Sequence, residues 1–186
     1  LLYCEYSQAG AQQYESLSAA TRAALTKAAA DRPAPDNYLI GNTEGQRWLA
    51  QTKSRLQQRS PSRFTEERDL TAFLSTVHYE ATRAGLDPHL VLAVIDVESA
   101  FRKYAVSKVG ARGYMQVMPF WVKEIGQPGH NLFNLRTNLR YGCLILRHYL
   151  DIENGNLDRA LGRYNGSLGR PDYPRAVDKA LRERWR

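Results

Sequence analysis

The sequence contains few cysteines and no long apolar run. Only two cysteines, Cys4 and Cys143, occur in 186 residues, and their spacing excludes a paired zinc-binding motif. They leave two alternatives, either one disulfide in an oxidising compartment or two free buried thiols. The longest uninterrupted apolar run, residues 90–95, is far shorter than the ~20 residues needed to cross a bilayer. No transmembrane segment is therefore predicted in this chain.

Strand patterns, repeats and several catalytic signatures are missing as well. No segment alternates cleanly between apolar and polar residues, and no internal repeat is visible. The sequence has no Walker loop, no Rossmann glycine fingerprint, no nucleophile elbow and no aromatic sheet motif of an RNA-binding protein. Its four histidines lack the spacing of a metal site. We therefore predict a mainly α protein without a metal ion or a cofactor.

The composition is that of a basic globular protein. Hydrophobic residues make up 43% and charged residues 24%, and 26 Lys and Arg against 19 Asp and Glu give a formal net charge of +7. Such a surface attracts polyanions, but charge alone does not choose between a nucleic acid and an anionic glycan. The chain begins at Leu1 without an initiator Met. We expect a processed or trimmed form that lacks its targeting segment, and membrane anchoring of the native protein stays open.

The first third of the chain is predicted to be a helical extension. An Ala-rich stretch at residues 16–30 and a second stretch that begins at Thr43 carry apolar residues at helical spacing. Residues 60–62, Ser-Pro-Ser, have the composition of a linker. We therefore predict an N-terminal extension over residues 1–62 and one domain over residues 63–186.

The remaining residues carry stronger helical periodicity. An amphipathic helix begins near Thr65 and ends at Gly85. Asp87 and Pro88 then provide an N-cap and a proline at the first helical position of a nearly all-apolar helix that runs through Glu98. Further helices are predicted at residues 138–149, 157–164 and 177–185, and loops at residues 107–113 and 164–173.

Glu98 is the most informative residue for function. It follows a run of apolar residues on one helical face, so its carboxyl group should point toward the core or a cleft. Burial raises the pKa of a carboxyl group, as a general acid requires. The alternative is a structural Glu that is paired with an Arg or a helix N-terminus. Asp96 lies about 200° around the helix and is expected to be solvated, so no second carboxylate is evident.

Two other segments have the composition of a binding pocket. Residues 110–119 combine small residues with Gln116 and Met118, which suits a pocket wall, although Gln and Met are as often surface and core residues. Ser107 could bind a substrate or Glu98. Tyr164 and Asn165 precede Gly166, which indicates either a binding site or a simple helix C-cap.

Taken in order, these motifs resemble the catalytic domain of the soluble (SLT) type of lytic transglycosylases, glycoside hydrolase family 23, which is related to goose-type lysozyme. The resemblance covers residues 70–185. Its elements are a Glu-Ser pair at Glu98, a Gly-rich segment that ends in Gln-Val-Met-Pro, an Asn-Leu pair at Asn138, a Tyr-Asn pair at Tyr164 and a Tyr-Pro pair at Tyr173. Three positions depart from the pattern of the family, namely Tyr114, Arg163 and Ser167. Of these, Tyr114 and Arg163 add bulk and charge near the expected cleft.

The resemblance implies a lysozyme-like helical domain that cleaves the β-1,4 bond between N-acetylmuramic acid (MurNAc) and N-acetylglucosamine (GlcNAc) in peptidoglycan. It implies that Glu98 acts first as general acid and then as base, and that the substrate's acetamido group replaces a second carboxylate, with a 1,6-anhydro product. The substrate-binding residues it implies are Ser107, Gln116, Met118, Asn138, Tyr164 and Asn165. It also implies glycan strands as partner, no nucleic acid, no cofactor, and a location in the bacterial periplasm or cell envelope.

Other functions stay open at this point. The chain could be a hydrolase in which Asp96 or another carboxylate activates water, a non-catalytic glycan-binding module, or a basic helical protein that binds nucleic acid. The products distinguish them, since anhydro-sugars indicate a transglycosylase and reducing ends a lysozyme-type enzyme.

Overall fold

The protein is mainly helical in the part of the chain that the structure describes. This structure is a computed structural model, and it describes residues 12–30, 35, 38–39, 41 and 43–186. Two isolated β-bridges, Val106 with Arg112 and Arg112 with Val117, are the only extended pairings within those ranges. The helices are α1 Ala19–Ala29, α2 Thr43–Arg59, α3 Glu67–Arg83, α4 Pro88–Ser99, α5 Phe120–Ile125, α6 Leu135–Ile152, α7 Leu157–Asn165, α8 Asp172–Ala180 and a final π-helical turn Leu181–Trp185.

The helix ends follow from local sequence. Asp87 caps α4 by accepting a hydrogen bond from the backbone N–H of His89, and Pro88 occupies the first turn. Asn134 and Asn156 cap α6 and α7 in the same way. At the other end of α7, Gly166 adopts φ +76°, a left-handed conformation that glycine reaches without strain. These caps fix where the loops between the helices begin.

Helix α4 lies at the centre of the domain. Every residue from Leu90 to Asp96 is buried, and the helix contacts α3, α8 and the π-helical turn. Phe73 of α3, Phe101 after α4 and Trp185 of the π-helical turn form one aromatic cluster, with ring centroids 6.1 and 5.4 Å apart. The apolar run at residues 90–95 is therefore core, as its composition indicates.

The N-terminal helices pack onto the rest of the protein. Helix α1 contacts α5 and α6, and α2 contacts α3 and the π-helical turn. Arg22 of α1 forms an ion pair with Glu124 of α5 at 2.7 Å. Helix α5 was not predicted, because six residues are too few to show a helical period. The linker expected at residues 60–62 lies in the loop between α2 and α3.

The mainly α fold class is confirmed, and so are the helices expected on either side of the linker. The boundary that would divide an extension, 1–62, from a domain, 63–186, stays a prediction. Cys143 is a free, buried cysteine, and Cys4 lies outside the described residues. In the described part of the chain, no helix is both long and apolar enough to cross a membrane.

The expectation that Asp96 is solvated is wrong. Its residue exposure is 4%, and its carboxylate lies between two arginines from distant parts of the chain. Arg59 of α2 approaches Oδ1 at 2.9 Å, and Arg184 of the π-helical turn donates to Oδ2 at 2.9 Å. Asp96 points away from Glu98, as its helical position predicts, but α2 and the π-helical turn cover that side of α4.

We expect Asp96→Asn to lower the free energy of unfolding by about 1–3 kcal/mol, because two guanidinium groups lose a buried charged partner. Both arginines keep partial contact with water, which limits the loss. Urea unfolding measures it. The matched control is Asp178→Asn, which removes an exposed ion pair with Arg182 and should change stability by less than about 0.5 kcal/mol. Equal losses in the two variants would contradict the role of Asp96.

Candidate active site

Glu98 lies in the last turn of α4, where the chain leaves the helix in an unusual conformation. Ala100 and Phe101 follow with φ +48° and +60°, the left-handed region that residues other than glycine rarely adopt. Phe101 is held there by the aromatic cluster, and the Ser99 hydroxyl donates to the Tyr114 carbonyl oxygen at 2.7 Å. Strained backbone of this kind concentrates at functional sites, where the surrounding packing enforces it.

The Glu98 carboxyl group is buried, and no positive charge of the described residues contributes to its pKa. Its residue exposure is 8%, and the Tyr173 hydroxyl donates a 2.6 Å hydrogen bond to Oε1. Burial raises the pKa of Glu98 from its ordinary value of 4.5 to about 8, while Tyr173 and Asn165 oppose the shift. The carboxyl group is therefore largely protonated at neutral pH, as the sequence position predicted for a general acid.

Asn165 brings an amide to the same carboxyl group from the end of α7. It lies close enough to lower the pKa of Glu98. Its Nδ2 is nevertheless buried and lacks a well-formed hydrogen bond to any described residue. A buried amide without a partner costs free energy, and a ligand with an acceptor oxygen would recover it.

Asn138 and Tyr164 hold the loop that follows α4 through one residue, Met115. The Met115 N–H donates to Oδ1 of Asn138 at 2.8 Å, and the Tyr164 hydroxyl donates to the Met115 carbonyl oxygen at 2.7 Å. Asn138 also donates to the carbonyl oxygens of Arg112 and Leu132, each at 2.8 Å. Gly142 makes room for the Met115 side chain, because a Cβ there would lie 2.3 Å from the Met115 Sδ. Helices α6 and α7 therefore fix the position of this loop.

Gln116 and Ser107 stabilise turns within the loop. Gln116 has φ +49°, and its Nε2 donates to the carbonyl oxygens of Ala105 and Gly113 at 3.2 and 2.9 Å. The half-buried Ser107 accepts a hydrogen bond from the Ala111 N–H at 3.0 Å. Both side chains thus act on the loop's backbone.

The structure brings most of the predicted site residues together. Asn165 lies at Glu98, while Asn138 and Tyr164 meet at Met115, directly beside Gln116. Met118 lies on the same loop and is half-buried. Ser107 stands apart in its own turn. The binding roles of all six stay predictions.

Tyr173 was missed as a partner of Glu98. Sequence analysis placed it only in a Tyr-Pro motif, 75 residues from the acid. Its position in the first turn of α8, with burial of that turn's apolar face, was the available signal. Among the described residues, no group of three or more His, Cys, Asp and Glu side chains could hold a metal ion.

These features define a helical domain in which the buried Glu98 lies beside a glycine-rich loop. Residues 75–183 match the family model described as the transglycosylase SLT domain. Because the match covers more than half of the chain, the protein belongs to the transglycosylase SLT domain family, and the resemblance read from the motifs is confirmed.

Several curated proteins resemble the same part of the chain. A membrane-bound lytic murein transglycosylase C of Actinobacillus pleuropneumoniae serotype 5b is 49% identical over 52% of this chain and 31% of its own. A transglycosylase of Enterobacteria phage PRD1 is 33% identical over 53% of this chain and 36% of its own. The chain thus spans about a third of the length of these relatives.

A solved structure also resembles the chain. An inactive mutant of the lytic transglycosylase Slt from Pseudomonas aeruginosa aligns with a TM-score of 0.47 at 22% identity, over 91% of this chain and 32% of that one.

The pKa of Glu98 predicts how stability changes with pH. The folded protein binds this proton more tightly than the unfolded chain, so stability is lost as the pH rises from 4.5 to about 8, by at most about 1.4 kcal/mol per unit. Glu98→Gln removes this loss. Urea unfolding across and above this pH range should show the variant gaining stability relative to the wild type as the pH rises. A difference that does not vary with pH would contradict the raised pKa.

Proposed function

We propose that the protein is a peptidoglycan lytic transglycosylase that cleaves the MurNAc-β-1,4-GlcNAc bond without water and leaves a 1,6-anhydro-muramyl end. The observation that carries the proposal is the buried Glu98 carboxyl group with a pKa of about 8. An acid with this pKa holds its proton at neutral pH and can still give it up, which suits one group for both proton transfers. Membership of the SLT domain family supports the same reaction.

The first step is protonation of the leaving group. Glu98 donates its proton to the glycosidic oxygen as the bond to the MurNAc anomeric carbon breaks. The Tyr173 hydroxyl, 2.6 Å from Oε1, stabilises the carboxylate that forms and holds its orientation. The apolar core around α4 excludes water from this face of the carboxyl group.

The second step proceeds without a carboxylate nucleophile. The two other buried carboxylates among the described residues, Glu80 and Asp96, each form ion pairs with arginines. We therefore assign stabilisation of the anomeric centre to the substrate's 2-acetamido oxygen, as in substrate-assisted glycosidases. Glu98, now a carboxylate, takes the proton of the MurNAc 6-hydroxyl, whose oxygen bonds to the anomeric carbon and closes the anhydro ring.

The predicted binding residues divide into two groups by their contacts. The Nδ2 of Asn165, which lies beside Glu98 without a well-formed hydrogen bond to a described residue, can donate to the substrate. The half-buried Met118 can pack on a sugar ring. Four other predicted residues form hydrogen bonds with the loop's backbone, and we propose that they shape the sugar subsites by holding that backbone in place. They are Ser107, Gln116, Asn138 and Tyr164.

The proposed partner is the glycan strand of the bacterial cell wall, in the periplasm or cell envelope. The relatives described as membrane-bound lytic murein transglycosylases support this location. The net charge of +7 favours an anionic wall polymer.

We expect Glu98→Gln to abolish release of muropeptides from purified sacculi, because the amide cannot supply the proton. Mass spectrometry of the products should show 1,6-anhydro ends for the wild type. Glu183→Gln, the same change on an exposed residue of the π-helical turn, should keep full activity. Reducing ends would identify a hydrolase instead, and binding without release would identify a glycan-binding module. Full activity of Glu98→Gln would reject the proposal.

Tyr173→Phe should move the alkaline limb of the kcat/KM profile to higher pH by about half a unit to one unit. The hydroxyl lowers the pKa of Glu98, so its removal lets that pKa rise further. Tyr164→Phe is the matched control, because the Tyr164 hydroxyl binds the Met115 carbonyl oxygen and not Glu98. The control should keep the position of the limb even if its rate falls. A limb that does not move in Tyr173→Phe would contradict the positioning role.

A further inference from the structure

The segment that precedes α1, residues 12–18, contains one buried polar side chain in an otherwise exposed stretch. Gln12 is 2% exposed, whereas residues 13–16 are exposed. A buried carboxamide needs hydrogen-bond partners, and those of Gln12 lie 104 and 106 residues further along the chain.

Both partners are backbone groups of the loop beside Glu98. Gln12 Nε2 donates to the Gln116 carbonyl oxygen at 3.1 Å, and the Met118 N–H donates to Gln12 Oε1 at 2.9 Å. One carboxamide therefore satisfies a backbone acceptor and a backbone donor of the same loop. The neighbouring Met115 is the residue that Tyr164 binds, so this contact lies on the loop that frames the site.

The segment also binds α7, through Glu15, three residues after Gln12. Glu15 forms an ion pair with Arg163 of α7 at 2.7 Å, directly before Tyr164 and Asn165. Three extended residues span about 10 Å. Between these two anchors, Tyr14 packs edge-on against Phe120, with ring centroids 5.6 Å apart. The segment thus joins the loop and the helix that together surround Glu98.

Open space remains between the segment and α7. A cavity of about 200 Å³ lies beside the ion pair of Glu15 with Arg163, and Gln13, Tyr149 and Leu168 also line it. Arg163 also binds Glu153, so it keeps a carboxylate partner when Glu15 leaves. The exposure of residues 13–16 and the second carboxylate partner of Arg163 make this part of the segment displaceable.

We propose that residues 12–18 form an autoinhibitory strap, which occupies part of the glycan groove and must leave before a glycan strand binds. The proposal rests on the proposed function for the identity of the ligand. The acetamido group of an N-acetylated sugar carries one N–H donor and one carbonyl acceptor, as the Gln12 carboxamide does. It can therefore take over the Gln116 carbonyl and the Met118 N–H when the strap leaves. Only molecules with an open strap bind glycan, so the apparent association constant is the intrinsic one multiplied by the open fraction.

The test compares Gln12→Glu with Gln13→Glu. Gln12→Glu keeps the side-chain size but removes the donor to Gln116 and places a negative charge against that carbonyl oxygen, which opens the strap. Gln13→Glu makes the same change of charge one residue further on, at an exposed position. Both are built on Glu98→Gln, and binding of tetra-N-acetyl-chitotetraose is measured by calorimetry.

We expect Gln12→Glu to bind the tetrasaccharide about threefold to tenfold more tightly than Gln13→Glu, because more molecules are open. Thermal unfolding checks that both variants fold, and Gln12→Ala replaces Gln12→Glu if the charged variant does not. Equal affinities, or weaker binding by the Gln12 variant, would overturn the strap.

Activity separates this inference from the proposed function. With Glu98 intact, Gln12→Glu should release anhydro-muropeptides at a lower KM than Gln13→Glu. Tighter tetrasaccharide binding without any product from either chain would reject the proposed reaction and leave the strap standing. If both variants release anhydro-muropeptides with the same KM and bind the tetrasaccharide equally, the strap is rejected and the proposed reaction stands.

Discussion

The energetic constraint on this protein is the burial of one carboxyl group, that of Glu98, among apolar residues and neutral hydrogen-bond donors. Burial of Glu98 favours the neutral form, and Tyr173 moderates the effect with one hydrogen bond. Maintaining this environment needs an apolar helix that is covered on every side, and α4 is such a helix. It also needs an abrupt turn after Ser99, so that the loop of the site starts beside the acid, and the left-handed residues Ala100 and Phe101 make that turn.

The loop that contains Met115 is held in place by α6 and α7, the helices that carry the predicted sugar-binding residues Asn138 and Tyr164. Asn138 and Tyr164 take the N–H and the carbonyl oxygen of Met115, and Gly142 makes room for its side chain. These two motif residues thus use their polar atoms inside the protein, on the backbone of the loop and its neighbours. The backbone groups of the next residues on this loop, at Gln116 and Met118, are the ones that Gln12 binds.

Much of the fold could be read from the sequence because it depends on local order. Apolar periodicity and caps such as Asp87 predict helices within a few residues, and the apolar face of α4 predicts the burial of Glu98. Contacts between distant segments could not be read in this way. Asp96 was predicted to be solvated because helical periodicity shows only that it lies on a different face of α4 from Glu98. The periodicity does not show that other elements pack on that face. Tyr173 and Gln12 reach the site across 75 and about 104 residues, a separation that no local pattern records.

The carboxylate of Asp96 also links α2 to the π-helical turn near the C-terminal end of the chain. It receives one guanidinium from α2 and another from the π-helical turn, and Arg55 of α2 donates to the Trp185 carbonyl oxygen. A chain that begins after α2 would keep α4, but Asp96 would lose Arg59 and keep only Arg184 as its ion-pair partner. The end of the π-helical turn at Trp185 would lose its hydrogen bond from Arg55. Helix α2 therefore stabilises α4 and the π-helical turn, and we expect these elements to unfold in one cooperative transition.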